Sequence, residues 1–367
     1  MSHHAKHDIR KISGNFQMPG DFISAEPYGS GHINDTYAAK YCQGGIPVKY
    51  IFQRINHNVF KNPPALMDNI MRVTDHLRSK LASSACPSRQ ALRLIHSLDE
   101  KPYCLDSDGN YWRVYIFIED ASSYDVIKTP EQAFQAAKAF GEFQKNLVDL
   151  PGGRLHETIL DFHNTPKRYE ALEKAIEKDA VNRAASAKKE IEFTLARKDI
   201  AGKLIELNKA GKIPERITHN DTKLNNVMID DKTGEGVCVI DLDTVMPGLV
   251  HYDFGDMVRT STSPALEDEK DLSKVKMQPH MFEALLRGYI STAADFLTPT
   301  EKEYLPFSGK LITLEIGVRF LTDYLSGDVY FKVHRDGHNL DRSRTQFKLV
   351  ESIEEQEENI MKLLHSI

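Results

Sequence analysis

The sequence predicts an α+β protein of two lobes, with a small β-rich N-terminal lobe and a larger helical C-terminal lobe. The chain has 367 residues, which is more than one ordinary hydrophobic core accommodates. Its first third contains short β-prone runs separated by glycine turns, whereas the remainder contains long stretches with the apolar period of a helix. The pattern changes after residue 118, so we expect an N-terminal lobe over 1–118, a hinge over 119–123 and a C-terminal lobe over 124–367.

Composition and charge argue against several classes of function. The formal net charge is −6 and no dense basic stripe occurs, so a nucleic-acid partner has little electrostatic support. The longest apolar runs are too short for a membrane span, and the first ten residues lack the apolar core of a secretory signal. The cysteines form no C-x-x-C pair, which predicts free thiols in a reducing cytoplasm. They are Cys42, Cys86, Cys104 and Cys238.

Periodicity and turn residues predict the elements of each lobe. In the first lobe, strands are expected at 23–28, 36–40, 48–54, 103–106 and 111–118, and a helix at 63–81. In the second lobe, helices are expected at 131–148, within 168–210, and at 279–296, 300–325 and 346–364. A compact segment at 217–256 is dense in His, Asp and Asn, with short strands at 227–229 and 237–240.

That segment carries the strongest chemical signal. Residues 218–226 read T-H-N-D-T-K-L-N-N and contain H-x-D-x-x-x-x-N, and V-I-D-L-D follows at 239–243. Phosphoryl transfer from a nucleotide needs one carboxylate to orient the acceptor hydroxyl and take its proton. It also needs hard oxygen ligands for Mg²⁺, such as a carboxylate and an amide oxygen. The pattern therefore predicts Asp221 as catalytic base, Asn226 and Asp241 as metal ligands, and ATP and Mg²⁺ as cofactors.

A polar loop with turn-forming and helix-capping residues is the plainer interpretation. It explains one such residue well, but not three in order followed by an apolar strand that ends in acids. His219 fits a structural histidine that braces the loop better than a proton carrier. Asp243 fits either a second metal contact or loop support.

A glycine-rich turn at 28–37, Y-G-S-G-H-I-N-D-T-Y, lies between the first two predicted strands. Glycine lets a hairpin backbone approach phosphates closely. The predicted phosphate-binding residues are Gly29, Ser30 and Gly31, and the predicted phosphate or substrate contacts are His32 and Asn34. A turn role explains Asn34 equally well, because it replaces the third glycine of G-x-G-x-x-G.

The strand at 50–54, Y-I-F-Q-R, lacks the lysine that kinases place on their third strand. Gln53 is the positional match, Arg54 is the charged neighbour, and Asp68 is a candidate partner on the following helix. This departure leaves open how the phosphates are held.

The first lobe ends in W-R-V-Y-I-F-I-E at 112–119. An apolar strand that runs into an acidic hinge is a suitable place for a nucleotide base between lobes, so Glu119 is a candidate nucleotide contact. A plain buried strand explains most of these side chains as well.

Taken together, these motifs resemble the aminoglycoside phosphotransferase and choline kinase class, which has a protein-kinase-like two-lobe fold. Within it, the sequence is most similar to the hexosamine kinase group. The resemblance spans nearly the whole chain in order. Its segments are residues 26–34, 112–115, 162–166, 218–226, 240–248, 305–309 and 319–331.

The resemblance implies an ATP- and Mg²⁺-dependent phosphotransferase whose partners are a nucleotide and a small-molecule sugar. The implied acceptor is the anomeric hydroxyl of N-acetylglucosamine or N-acetylgalactosamine. It also implies that Arg319 reaches the sugar from a helix of the C-terminal lobe. Tyr324, Asp328 and Tyr330 are weaker sugar-site candidates, which packing and helix capping explain equally well.

Two alternatives stay open at this stage. A choline, homoserine or aminoglycoside kinase uses the same phosphate machinery, but a cationic acceptor is usually held by aromatic faces and acids. The single tryptophan in the first lobe and the arginine at the acceptor wall favour a neutral acceptor. A silent nucleotide-binding module is suggested by the missing strand lysine and opposed by Asp221, Asn226 and Asp241. The preferred epimer and the oligomeric state do not follow from the residues.

Overall fold

The computed structural model describes residues 7–29 and 33–367 and consists of an antiparallel N-terminal sheet followed by a mainly helical part. The strands are β1 Asp21–Pro27, β2 Asp35–Gln43, β3 Ile46–Ile55, β4 Leu94–Ile95, β5 Cys104–Leu105, β6 Tyr111–Ile116, β7 Ala121–Ser122, β8 Arg216–Thr218, β9 Val227–Asp230, β10 Gly236–Val239 and β11 Met246–Gly248. The helices are α1 Ile9–Ser13, α2 Pro63–Lys80, α3 Pro87–Gln90, α4 Pro130–Leu147, α5 Thr165–Lys178, α6 Lys188–Leu195, α7 Lys203–Lys209, α8 Val250–Ser261, α9 Pro279–Ala293, α10 Pro299–Glu303, α11 Leu305–Leu325, α12 His338–Glu354 and α13 Glu357–Leu364.

The N-terminal sheet has the strand order β1-β2-β3-β6-β4, and β5 pairs with one end of β6. Because side chains alternate along a strand, its two faces belong to different cores. Phe52 and Trp112 pack with α1 on one face, and Ile51 and Ile55 contact the large core below α2 on the other. Gln53 lies on that second face, which turns toward the helical lobe.

The helical lobe is built around three tightly packed helix pairs, α4 with α9, α11 with α12 and α11 with α8. Helices α4 and α9 approach so closely that a Cβ on Gly288 would lie 2.2 Å from the Phe134 carbonyl oxygen. The main core contains Ile70 of α2 as well as Phe254 of α8, so a single hydrophobic core runs from one lobe into the other.

Two small antiparallel sheets within the helical lobe carry the polar loops. Strand β8 pairs with β11, and β9 pairs with β10 and with β7. The N-terminal sheet ends at Ile116, whereas β7 already belongs to the second lobe's sheet. This arrangement supports the division that we propose near 119–123.

Most predicted elements are present at or near their expected positions, and the α+β two-lobe prediction is confirmed. One difference is that 300–325 is two helices, because the chain turns at Tyr304 between α10 and α11. Another is α8, which the sequence analysis left inside the polar segment. All four cysteines are free, and none of the helices in the described part of the chain is long and apolar enough to cross a membrane.

Candidate active site

The predicted catalytic loop follows β8 and crosses the top of the helical lobe. Asn220 adopts a left-handed conformation with φ 66°, which Asn tolerates better than most residues and which turns the chain toward Asp221. The Asp221 main-chain N–H donates to Nδ1 of His219 at 3.3 Å, and Nε2 of His219 donates to the Ile240 carbonyl at 2.9 Å. His219 is therefore a brace between the two polar loops, as predicted.

A buried carboxylate on α8 holds the same loop from below. Asp253 accepts the main-chain N–H groups of His219 at 2.9 Å and Asn220 at 2.6 Å, and the side-chain amide of Gln144 at 2.6 Å. The Thr222 N–H donates to Asp256 at 2.9 Å. The loop conformation is thus fixed by acids that sequence analysis did not single out.

Asp221 has a cation and an amide as immediate neighbours. Lys223 Nζ lies 2.9 Å from Oδ1, and Nδ2 of Asn226 donates to Oδ2 at 3.3 Å and to the Asp221 carbonyl at 2.7 Å. Burial raises the pKa of Asp221, but the charge and hydrogen bond of Lys223 and the nearby His219 outweigh it, so the net shift is downward. Asp221 is therefore ionised at neutral pH.

The two predicted metal ligands lie at the same end of the β9–β10 hairpin. The Ile240 N–H donates to the Asn226 carbonyl at 2.9 Å, which brings the residue after Ile240 beside Asn226. Because Nδ2 of Asn226 is directed at Asp221, its side-chain oxygen is left without a hydrogen bond from the described residues. Asp241 itself has a left-handed backbone, with φ 58°.

Asp241 lies close to the negative charges of two other carboxylates. Desolvation by the surrounding protein and the charges of Asp243 and Asp221 raise the pKa of Asp241 to about 6. A divalent cation would relieve this repulsion. Among the described residues no group of three or more His, Cys, Asp or Glu could hold a metal alone. The donor set fits Mg²⁺, which commonly takes one or two protein ligands and completes its shell with phosphate oxygens and water.

Asp243 joins the loop that carries Asp241 to the N-terminal sheet. Its Oδ2 accepts from Nδ2 of Asn34 at 2.6 Å, and its Oδ1 accepts a short hydrogen bond from Arg113 of β6. Both carboxylate oxygens are thereby engaged, which favours loop support over a second metal contact. The other end of the Asn34 amide accepts from the Asn56 N–H at 2.9 Å, so Asn34 bridges the lobes.

Gln53 lies directly across from Arg113 in the β3–β6 register. Its Oε1 accepts from Arg113 Nε at 2.9 Å, and its Nε2 donates to Thr36 Oγ1 at 3.1 Å. Sequence analysis missed Arg113 because it followed the strand lysine of kinases along β3 and not across to the neighbouring strand.

The suggested acid on α2 does not pair with the strand. Asp68 contacts Arg72 at 3.8 Å and His156 at 3.3 Å, so its proposed pairing with Gln53 or Arg54 is wrong. Arg54 pairs instead with Asp35, at 2.6 Å.

Of the remaining nucleotide candidates, Gly29 and Glu119 lie within the described part of the chain. Gly29 has φ 78°, which only glycine adopts freely, whereas Ser30, Gly31 and His32 lie outside the described residues. The Glu119 carboxylate pairs with Lys49 at 3.1 Å, and its carbonyl accepts from Arg89 at 3.1 Å. Its main-chain N–H donates to none of the described residues, so it is available to a nucleotide base.

Arg319 lies on α11 with its guanidinium near two aromatic rings. Its guanidinium sits 5.3 Å from the ring centre of Phe162 and 5.6 Å from that of Phe331. One turn earlier, Glu315 pairs at 2.8 Å with Nδ1 of His163, whose Nε2 lies 3.2 Å from the Asn220 carbonyl. Glu315, one turn before Arg319, is therefore linked through His163 to the residue preceding the predicted base.

Two of the three weaker sugar-site candidates, Tyr324 near the end of α11 and Asp328 just beyond it, are engaged elsewhere. Asp328 pairs with Arg183 at 2.6 Å and accepts from Asn339 at 2.9 Å. Tyr324 is buried beneath the Arg183 guanidinium, with its hydroxyl 3.2 Å from Ser186 Oγ. These contacts match packing and capping, the alternative that the sequence left open for both residues.

Comparison with known proteins places this geometry in a family. The family model described as APH, phosphotransferase enzyme family, matches residues 24–296. The chain belongs to this APH phosphotransferase family. Membership makes it a kinase-type phosphotransferase and confirms the broad class that the motifs predicted.

Solved structures show the same APH fold over the whole chain. An aminoglycoside phosphotransferase from Alicyclobacillus acidocaldarius has a TM-score of 0.62 at 12% identity and covers 99% of this chain and 98% of its own. A spectinomycin phosphotransferase in complex with ADP and spectinomycin has a TM-score of 0.57 at 14% identity, covering 98% of each chain. Plasmodium vivax ethanolamine kinase has a TM-score of 0.52 at 14% identity, covering 88% and 82%.

These likenesses confirm the protein-kinase-like two-lobe fold. The names of the similar structures refer to different acceptors, spectinomycin in one and ethanolamine in another. Membership in the APH family consequently leaves the acceptor to be argued from the site.

Replacing Asp221 by Asn tests the base. The amide cannot take the hydroxyl proton, so we expect kcat to fall by about 10²–10⁴-fold, the usual effect of losing general-base action, with nucleotide affinity nearly unchanged. The matched control is Asp231→Asn, an exposed residue at the far end of the β9–β10 hairpin. Steady-state kinetics in which both variants kept wild-type kcat would remove Asp221 from the mechanism.

Replacing Asp241 by Asn tests whether repulsion between neighbouring carboxylates destabilises the metal-free protein. Because the pKa of Asp241 is about 6 and its ordinary value is 3.8, the folded protein binds this proton more tightly than the unfolded chain does. The contribution of Asp241 to stability therefore falls as the pH rises from about 4 to about 6 and stays low at pH 7. We expect Asp241→Asn to raise the Tm of the metal-free protein at pH 7 by about 2 °C or more, and by much less at pH 4.

The control is Asp295→Asn, which removes an exposed carboxylate paired with Lys145 and should give no gain in Tm. The Tm of the wild type and of both variants is measured by thermal unfolding in the presence of EDTA. An equal gain at both pH values would contradict the electrostatic explanation.

Proposed function

We propose that this APH-family protein is an N-acetylhexosamine 1-kinase, which transfers the γ-phosphoryl group of ATP to the anomeric hydroxyl of N-acetylglucosamine or N-acetylgalactosamine. The observation that carries the proposal is the Arg319 guanidinium. It makes no hydrogen bond or ion pair with the described residues and lies between two aromatic rings beside the catalytic loop. A partly exposed guanidinium with unused donors is suited to bind the oxygens of a ligand.

The positive charge around Arg319 supports a neutral acceptor over a cationic one. Burial and then the neighbouring charge of Arg319 lower the pKa of Arg168, so two guanidinium groups lie close together. The nearby acid, Glu315, is buried and already engaged by His163 and Thr165. Choline, ethanolamine or an aminoglycoside would bring a further positive charge close to Arg319, which costs binding energy.

The aromatic surroundings also suit a sugar. Phe162 and Phe331 flank Arg319, and the exposed Tyr330 contacts Phe331. Asp323 orders the segment 329–331, since it accepts the main-chain N–H groups of Val329, Tyr330 and Phe331 at 2.8–2.9 Å. Hydrogen-bond donors beside apolar faces match a molecule that has both hydroxyl groups and C–H faces.

In the proposed reaction, Asp221 orients the anomeric hydroxyl and accepts its proton. The hydroxyl oxygen forms the new bond to the γ-phosphorus as the bond to the ADP oxygen breaks. Lys223 beside Asp221 offers positive charge to the transferring group. Mg²⁺, when bound, would neutralise phosphate charge, with Asn226 and Asp241 as its protein ligands.

The nucleotide would lie between the lobes, near Gly29 and the free main-chain N–H of Glu119. The spectinomycin phosphotransferase of the same fold holds ADP, which supports nucleotide binding here. The donor set at Asp221, Asn226 and Asp241 argues against a silent binding module.

The experiment is a substrate panel with ATP and Mg²⁺, with the products identified by phosphorus NMR. N-acetylglucosamine and N-acetylgalactosamine should be phosphorylated at C1. Glucose and galactose should be poorer substrates, because groups arranged to bind the acetamido carbonyl would be left unpaired. Choline, homoserine or an aminoglycoside as the best acceptor, or a phosphate on C6, would overturn the substrate assignment.

The variant Arg319→Lys links the panel to the site. Lysine cannot reproduce the planar fork of arginine, so kcat/KM for the sugar should fall about 10–100-fold, as for a lost charged hydrogen bond, with KM for ATP changed less. Arg197→Lys makes the same exchange in a bidentate pair with Glu354 within the helical lobe and should leave kcat/KM intact. Equal effects of Arg319→Lys on sugar and ATP would argue that Arg319 is structural.

A further inference from the structure

Arg113 is a cation buried between the two lobes. It lies on β6 with only 1% of its surface exposed, on the sheet face that turns toward the helical lobe. A guanidinium is expensive to bury unless its donors are paired. The partners of Arg113 therefore indicate what the group is for.

Two of its three nitrogens have partners. Nε donates to Gln53 Oε1 at 2.9 Å, and Nη1 donates to Asp243 Oδ1. Nη2 donates to none of the described residues, so the two hydrogens it carries remain unused. The buried guanidinium is therefore held through Nε and Nη1, and Nη2 still offers donors.

The unused donors lie next to the candidate metal loop. Asp243, which Arg113 binds, is two residues from Asp241, and the charge of Arg113 is close enough to lower the pKa of Asp241 against the stronger effects of burial and neighbouring acids. Phosphates bound through a metal on Asp241 would thus come close to this guanidinium.

Both cations of β3 itself are paired with acids. Arg54 pairs with Asp35 at 2.6 Å, and Lys49 pairs with Glu119 at 3.1 Å. Gln53, at the position of the usual strand lysine, is neutral. Kinases require a cation on this sheet to pair with the nucleotide phosphates.

We propose that Arg113, on the neighbouring strand β6, is the cation that pairs with the nucleotide phosphates. Its Nη2 donates to a phosphate oxygen of the bound nucleoside triphosphate while Nη1 stays on Asp243. Gln53 then serves as a positioning residue that fixes the plane of the guanidinium. The inference rests on the proposed ATP-dependent function and adds the residue that holds the phosphates. It also explains why β3 can carry a neutral side chain.

The test compares ligands that differ only in their number of phosphate groups. Calorimetry measures the affinities of adenosine, ADP and ATP with Mg²⁺ for the wild type and for Arg113→Lys. Lysine keeps a charge for Asp243 but loses the fork, so Kd for ADP and ATP should rise about tenfold or more, while Kd for adenosine changes less than about threefold. Arg197→Lys is the matched control and should leave all three affinities unchanged.

A second pair of variants guards against a protein that fails to fold. Arg113→Gln should bind ATP weakly, and adding Gln53→Lys, which moves the cation to the opposite strand position, should restore much of that affinity. Adenosine and ATP weakened equally, or ATP bound by Arg113→Gln as tightly as by the wild type, would overturn the inference. A wild type that binds no ATP at all would instead overturn the proposed function.

Discussion

The carboxylate of Asp243 is the interaction on which the geometry of the site depends. One of its oxygens receives Arg113 from β6 and the other receives Asn34 from the segment before β2. Asp243 is only 3% exposed, so these contacts are poorly screened by water, and loss of one partner would leave a buried charge uncompensated. Because Asp241 lies two residues earlier in the same loop, the side chain of Asp243 links the N-terminal sheet directly to the loop of the candidate metal ligands.

A second buried acid does the same for the catalytic loop. Asp253 receives two consecutive main-chain N–H groups, and Gln144, which also accepts from the Tyr289 hydroxyl, fixes the orientation of that carboxylate. A backbone turn held this way cannot relax when the cleft is open, so Asp221 is positioned before any ligand arrives. Such preorganisation is worth more to phosphoryl transfer than covalent participation by the protein, since the reaction depends mainly on positioning and charge.

The parts of the site that the sequence predicts are those whose residues lie close together in the chain. Asp221, Asn226 and Asp241 fall within one polar segment whose spacing is itself a signal, and the structure brings them to the end of one hairpin. The pairing of Arg113 with Asp243 joins residues 130 positions apart and has no local pattern. Helix α8 was missed because its buried face mixes Phe254 and Met257 with acids, which blurs the apolar period.

The central claim is that Asp243 ties the lobes together while Asn226 and Asp241 hold the metal. A crystal structure with Mg²⁺ and a non-hydrolysable ATP analogue tests it most directly. The claim predicts Mg²⁺ at about 2.0–2.1 Å from the side-chain oxygens of Asn226 and Asp241, with Asp243 still bound to Arg113 and Asn34. A structure in which Asp243 has left Arg113 to coordinate the metal, or in which Asn226 or Asp241 does not reach it, would contradict the account.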